Sequence, residues 1–398
     1  MRRPPPLPAL LGLQFATGFL TAPLLSQLPV YVDILHFPPL FTASLQTAQM
    51  LLGAAASILG GLLTDVLGVR RTFLIGLAGA VLLALIFLSA LPALMLLLAL
   101  AGGAALGTQY VAGQSYLLAA SRTQRIGLGA AVFFLGNTLG SAAGNLLAGH
   151  LLQSFGFSLV MGGIAVVSLL LIGGAAALLP ELQRPATRAR PRAILRGYAA
   201  LLQRRPVTLL VAVRYLSTCF WGAVTLLLPL LVHRESGSVA VAGTYAAVSL
   251  AVAAPCSLVS GRIWDRYRSR WQVPVLIGGV ALDSLALALA SGSVTGLFIA
   301  GSAGAALAWS LSALMPGLIG SLTEPRAKGR GVGLLQTAWS LGMLSGALAG
   351  GALITIARPL PFLAMLVPVL GAFACMLVLQ ARWNFAGLER DRRWSTPA

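Results

Sequence analysis

Asp65 and Asp265 lie 200 positions apart, and each follows a long apolar run and stands beside a cluster of arginines. Gly61, Gly68, Arg70 and Arg71 surround the first; Gly261, Arg266, Arg268 and Arg270 surround the second. These residue types suit clasping better than covalent chemistry. A carboxylate at a helix end accepts hydrogen bonds from the N-terminal amides of a neighbouring helix, where the macrodipole favours negative charge. Gly61 would let two helices approach closely, and Gly68 would permit the tight turn that follows. In the plainer reading each carboxylate only neutralises the arginines beside it.

Two further ionisable residues, Arg214 and Asp283, fall inside apolar runs. Facing lipid at the bilayer centre, either would cost about 2.5–3.5 kcal/mol, so each is expected to face protein or water. Arg214 could bind an anionic substrate group, or could be satisfied by an ion pair or by backbone carbonyls. Asp283 could titrate as a coupling site for a proton. Asp33 and His150, near the ends of their runs, could also accept protons, with simple exposure as the alternative. Gln14, Thr17 and Thr21 are spaced i, i+3, i+7 and so share one helix face. Gln46, Gln49, Gln109, Tyr110, Gln114 and Asn137 extend this candidate polar lining. Trp221, Tyr245, Trp309 and Trp339 are candidate aromatic lining, and an interfacial belt does not explain all four. Gly136, Gly140 and Gly144 recur every four residues, as do Gly342, Gly346 and Gly350 at an offset of 206. Such spacing allows close helix crossing in lipid, either as static packing or as faces that rock against the opposite half. Cys219, Cys256 and Cys375 have no metal-ligand spacing and read as small apolar residues.

The elements that must position these groups follow from composition. Charged residues make up 9% of the 398 residues and hydrophobic ones 58%. A soluble domain carries about 25% charge, so most of the chain must sit in lipid. At roughly 20 residues per span there is room for about twelve helices, and the runs lack the alternation of a spanning β-barrel. Spans are expected near 8–32, 41–64, 72–91, 93–118, 126–152 and 157–180. A second set is expected near 207–232, 238–263, 272–291, 293–320, 329–356 and 359–380. The offset of 200 also places Gln14 on Arg214, Pro29 on Pro229 and Ser57 on Ser257, so the chain is a doubled unit. The fold class is therefore an all-α membrane protein of twelve transmembrane helices in two pseudo-symmetric six-helix bundles. Residues 1–180 form the first bundle and 207–398 the second with a tail. The linker 181–206 carries an amphipathic helix near 194–202, or is a plain basic connector. Two like halves place a pathway between them. Spans 3, 6 and 12, almost free of polar residues, are expected to face lipid, with span 9 fitting less well because of Asp283.

The net charge of +18 would suggest nucleic acid in a soluble protein. Here all 27 basic residues except Arg214, Arg234 and Arg358 fall on one predicted side. The positive-inside rule makes that side cytoplasmic, with both termini inside, and no nucleic acid is needed. The chain is thus expected to be a multi-pass protein of the cell inner membrane. The first run is long enough to be retained; Arg2 and Arg3 offer a twin-arginine export signal as the alternative.

The segment from Gly61 to Arg71 resembles the loop between spans 2 and 3 of the major facilitator superfamily, usually written G-x-L-a-D-R-x-G-R-R/K. Gly61, Leu63, Asp65, Gly68 and Arg70 match, whereas Val66 and Val69 stand where the family usually has basic residues. The second copy keeps Gly261, Asp265, Arg266 and Arg270 but has Arg268 in place of the second glycine. The resemblance implies that Asp65 clasps span 11 and Asp265 clasps span 5, closing the inner side when the protein opens outward. Two features typical of the family's antiporters are missing. Ser141, not proline, follows Gly140, and Gly103, not arginine, stands four residues before Gly107.

The expectation is a secondary active transporter moving a small organic solute by alternating access. Export of a drug-like or metabolic compound comes first, from the aromatic residues and the scarcity of buried acids. Uptake of a sugar or an organic anion, with Arg214 on a carboxylate, is the alternative within the class. A non-transporting sensor or scaffold, or a lipid flippase, would use the same fold differently. No glycine-rich phosphate loop appears, so ATP-driven transport is not expected. No acid–base pair, nucleophile–base pair or metal cluster lies at membrane depth, so an enzyme is not expected. Expected partners are the substrate, the bilayer and a coupling proton. No cofactor is expected, and the chain is expected to act as a monomer.

Overall fold

The computed structural model describes residues 7–120, 126–181, 198–267, 269–324 and 328–382. Its regular elements there are helices. In the first half they are α1 (Leu7–Ser26), α2 (Leu28–Ile34), α3 (Pro39–Leu67), α4 (Val69–Ile86), α5 (Pro92–Ala120), α6 (Ile126–Phe155) and α7 (Phe157–Leu178). The second half holds α8 (Arg205–Ser236), α9 (Val239–Tyr267), α10 (Gln272–Ala290), α11 (Val294–Leu322), α12 (Lys328–Leu353) and α13 (Leu360–Arg382). Together α1 and α2 make span 1, and α3 to α13 make spans 2 to 12. Ten of the spans are long and apolar enough by length and composition alone to cross a bilayer. The other two, α3 and α6, have 29 and 30 residues, or roughly 45 Å of helix at 1.5 Å per residue. Of the expected linker helix, 198–202 is helical, and 194–197 lies outside the described residues.

Local chemistry sets the breaks. Span 1 is interrupted at Gln27, and α2 then starts with a proline in its first turn. Pro29 has no N–H to give to the preceding turn, so the helix restarts there. Between α3 and α4, Gly68 turns the chain at φ 86°, a backbone conformation that a side chain would strain.

The packing repeats with the sequence. In the first half α1 lies on α6, α3 on α5, and α4 on both α5 and α7. In the second, α8 lies on α12, α9 on α11, and α10 on both α11 and α13. Each pairing is the earlier one moved on by six spans. The halves meet where α6 packs on α9 and α3 on α12. Large apolar side chains of α7, α10 and α13, such as Leu170, Leu289 and Val367, are exposed, which in a bilayer means contact with lipid.

The glycine stripes seal each bundle from within. A Cβ on Gly140 or Gly144 would strike the carbonyls of Phe15 or Phe19 on α1. One on Gly342 or Gly346 would strike those of Tyr215 or Cys219 on α8. These are contacts inside a half, so the expectation of stripes that rock against the opposite half does not match their placement. Gly350 likewise faces Ala223 of α8, and Gly136 lies one turn before Gly140 on α6.

Candidate functional site

Arg214 lies about two and a half turns into α8, and its Nη1 donates to Ser312 Oγ of α11 at 2.7 Å. Its Nε is buried and has no partner, and no carboxylate pairs with it among the described residues. Tyr110 of α5, in the other half, is its electrostatic neighbour across the interface. Residue 214 is deeply set yet only half-buried, as a group lining an internal space would be.

Around this centre the polar residues divide. Gln14 and Thr17 are buried. The Gln14 carbonyl accepts from Asn137 Nδ2 at 3.5 Å, tying α1 to α6. Thr17 and Thr21 donate their hydroxyls to carbonyls one turn back on their own helix, leaving only lone pairs for anything else. Gln46 Nε2 donates to Thr225 Oγ1 at 3.2 Å, a bond that crosses between the halves. Gln49 is buried with its Nε2 unpartnered. Trp221 and Trp339 are half-buried and Trp309 is exposed.

Two residues expected in the lining lie elsewhere. Gln109 packs its Cβ against Gly76 of α4, on the seam between α4 and α5. Tyr245 sets its hydroxyl against Gly301 of α11 and its ring edge-on to Phe298, 5.4 Å between centroids, inside the second bundle. In both cases the glycine opposite gives the room, and that glycine could not be matched to its partner from the sequence. The side chain of Gln114 lies outside the described residues.

Asp283 of α10 is only 6% exposed. Its carboxylate fits the space that Gly304 of α11 leaves for lack of a Cβ, beside Phe220 of α8. The Oδ2 atom has no hydrogen-bond partner. One helical turn away, Gly301 makes the matching space for Tyr245.

The repeated motif is partly described. Arg70 donates to the carbonyl of Ala176 in α7, and Arg71 lies 4.0 Å from Glu181. The first ties α4 to α7, and the second ties it to the start of the linker. Arg266 lies over the ring of Tyr267 at 5.5 Å and Arg270 over that of Trp271 at 5.2 Å. Gly261 faces open space. The surroundings of Gly61 and the side chains of Asp65 and Asp265 lie outside the described residues, and with them the expected clasps.

Bridges between the halves gather at the ends joined by the short connections. Asp33 accepts from Arg234 Nη2 at 2.6 Å and from its Nε at 3.2 Å. Gln153 Oε1 accepts from the Val239 amide at 3.0 Å and the Ser238 hydroxyl at 3.2 Å. Gly149 of α6 abuts Gly243 of α9, and Gly351 of α12 abuts Ala43 and Pro39 of α3. Gln27, fully buried and with neither amide atom partnered, reaches Gly243. Asp33, considered from sequence as a proton acceptor, is here one arm of an ion pair. Gly149, Gly243, Gly351, Gln153 and Ser312 were not singled out from the sequence, and Arg234 stood out only as a cation off the basic side. A signal for one pair was present: Asp33 and Arg234 are 201 positions apart, so opposite charges occupy nearly equivalent places in the two repeats.

The family model described as Major Facilitator Superfamily matches residues 10–316. Among solved structures, a POT family transporter in complex with 5-aminolevulinic acid superposes with a TM-score of 0.77 at 12% identity. That match covers 94% of this chain and 96% of that one. The nucleoside transporter NupG gives 0.75 at 16% identity over 96% and 100% of the two chains. A bacterial homologue of the human lysosomal transporter Spinster, in an inward-facing and occupied conformation, gives 0.72 at 15% over 94% and 96%. No curated protein sequence matches. At these identities the structures speak for the fold, and the family model covers most of the sequence as well: the chain belongs to the Major Facilitator Superfamily.

Proposed function

We propose that this secondary transporter moves a small organic anion through a path between its halves by alternating access. The observation that carries the reading is Arg214: a cation deep between the halves, anchored by Ser312, with an unpartnered Nε and no carboxylate beside it among the described residues. Burying such a charge is costly unless it is paired, and a substrate carboxylate would supply the missing partner. Tyr110, on the other half, is placed to feel that partner's arrival. Two of the structural neighbours hold a small amino acid derivative and a peptide conjugate, and a third is a nucleoside transporter, so the fold accommodates polar organic solutes of this size. Export of a drug-like compound rests on the aromatic residues and the scarcity of buried acids; Tyr245 is taken up inside the second bundle and Asp283 is a buried acid, which weakens both grounds.

The basic side of the molecule is cytoplasmic in this reading, and the membrane is the inner one. The bridges at Asp33–Arg234, Gln153–Val239 and Gly149–Gly243 then hold the outward side shut, and the form described is inward-facing. Outward opening would break these contacts while Asp65 and Asp265 clasp their partner helices on the other side.

A ligand screen by thermal shift on the purified protein, followed by flux in proteoliposomes, tests the reading. Carboxylate-bearing solutes should stabilise the wild type. Arg214→Gln should weaken them by about ten- to a hundredfold, the value of a hydrogen bond to a charged group, with Arg214→Lys in between. Unchanged affinity in Arg214→Gln for the best anionic binder would remove the anion; no gradient-dependent flux of any binder would favour a sensor or scaffold.

A further inference from the structure

A groove of about 500 Å³ opens on the basic side, where the end of the linker meets α8 and α13. Arg205, the first residue of α8, and Arg382, the last of α13, both line it, with Gln203 beside them. Neither arginine has a carboxylate partner among the described residues. Arg204 next door differs: it donates to Glu324 at 2.7 Å, and this contact holds the Glu324 carboxyl below its ordinary range. Among the described residues the groove is thus left with two uncompensated guanidiniums and no acid in its lining.

One turn further into the membrane the character changes on both helices. Leu209 lies four residues after Arg205, and Val378 lies four before Arg382; both line the same groove, and Val378 is 43% exposed. Side chains four apart on a helix share a face, so each arginine has an aliphatic residue directly beneath it. Cation above and hydrocarbon below, at the end of two spanning helices, is the profile of an amphiphile standing along the membrane normal. A free phosphate would use only the upper part, and a zwitterionic headgroup would leave the two positive charges uncompensated. The second groove, between α9 and α10, has Val259, Ile263, Trp271 and Val275 in its lining and no charged residue, so it offers nothing that would select a headgroup.

We propose that the groove between α8, α13 and the linker end is a binding site for an anionic phospholipid. Its phosphodiester sits between Arg205 and Arg382 and one acyl chain lies along Leu209 and Val378. The Thr208 hydroxyl, which also lines the groove, is committed to the carbonyl of Leu202, so donation to phosphate falls to the two arginines and to Gln203.

Native mass spectrometry of the purified full chain tests the site directly. Phosphatidylglycerol, phosphatidylcholine with the same acyl chains, and inorganic phosphate are the three probes. The wild type should retain phosphatidylglycerol. The double variant Arg205→Gln/Arg382→Gln should bind it about thirtyfold more weakly, the factor to which two headgroup cations at about 1 kcal/mol each convert. Arg205→Lys/Arg382→Lys should keep most of the binding, and Arg358→Gln, at the other membrane face, should change nothing. Arg382→Gln alone, at a helix end, should give a several-fold loss and serves if the double variant fails to fold. Equal retention of phosphatidylglycerol by the wild type and the Arg205→Gln/Arg382→Gln and Arg382→Gln variants, or of phosphatidylcholine and phosphatidylglycerol by the wild type, would overturn the proposal. Displacement of the lipid by inorganic phosphate would reduce the site to a free-anion site and would overturn it equally.

Discussion

Arg214 and Asp283 both lean on α11, at Ser312 and Gly304, eight residues apart, or roughly 12 Å along the helix. The arginine lies between the halves, and the carboxylate lies inside the second bundle. A buried carboxylate without a cation beside it is inexpensive only when a proton supplies its counter-charge, so Asp283 is the residue we propose as carrier of a coupling proton. Asp283→Asn should then abolish substrate accumulation driven by a proton gradient while leaving substrate exchange across proteoliposomes intact. Gly304→Ala should act in the same direction, because the new methyl would occupy the space of the Asp283 carboxylate. Gradient-driven accumulation that survives both substitutions would rule Asp283 out as the carrier.

At the scale of elements, helices within a half are held at backbone contact. Gly346 meets the Cys219 carbonyl and Gly140 the Phe15 carbonyl closely enough that no methyl group fits. Gly346→Ala should therefore force α12 from α8 and destabilise the protein by about 1–3 kcal/mol or more, as overpacking does. Gly163 of α7 has nothing within 4 Å of the same position. Gly163→Ala should be neutral or stabilising by up to about 1 kcal/mol, from helix propensity alone. Thermal unfolding in one detergent, the two variants side by side, separates the cases. The sequence carried this spacing openly, because small residues recurring at every fourth position are legible without coordinates. What it could not carry was the partner: the stripes face α1 and α8 within their own bundles, a choice made by which helices are neighbours.

The whole molecule is two copies of one packing scheme joined along α6 with α9 and α3 with α12. The bridges across that junction are modest one by one. Asp33–Arg234 is partly exposed, and such a pair contributes about 1 kcal/mol at most, so Asp33→Ala should shift the balance between open and closed forms by no more than about fivefold. A covalent tie is a stronger test. With the three native cysteines replaced, Asp33→Cys and Arg234→Cys joined by a bifunctional maleimide should stop transport, and cleaving the linker should restore it. Full transport in the cross-linked protein would mean that this end need not open.

Sequence alone determined the class of molecule: apolar runs of spanning length and an offset of 200 mark a doubled chain of membrane-spanning helices. It also identified Arg214 and Asp283, because an ionisable residue in an apolar run is costly wherever it faces lipid. Only the tertiary structure decided which polar residues share a space. Gln109 and Tyr245 had the right residue types for a lining, yet each is drawn into a helix seam by a glycine far away in the chain. Ser312, Gly304, Gly149 and Gly243 gave no sign of their roles, since a small residue acquires meaning from the side chain or backbone that comes to fill the room it leaves.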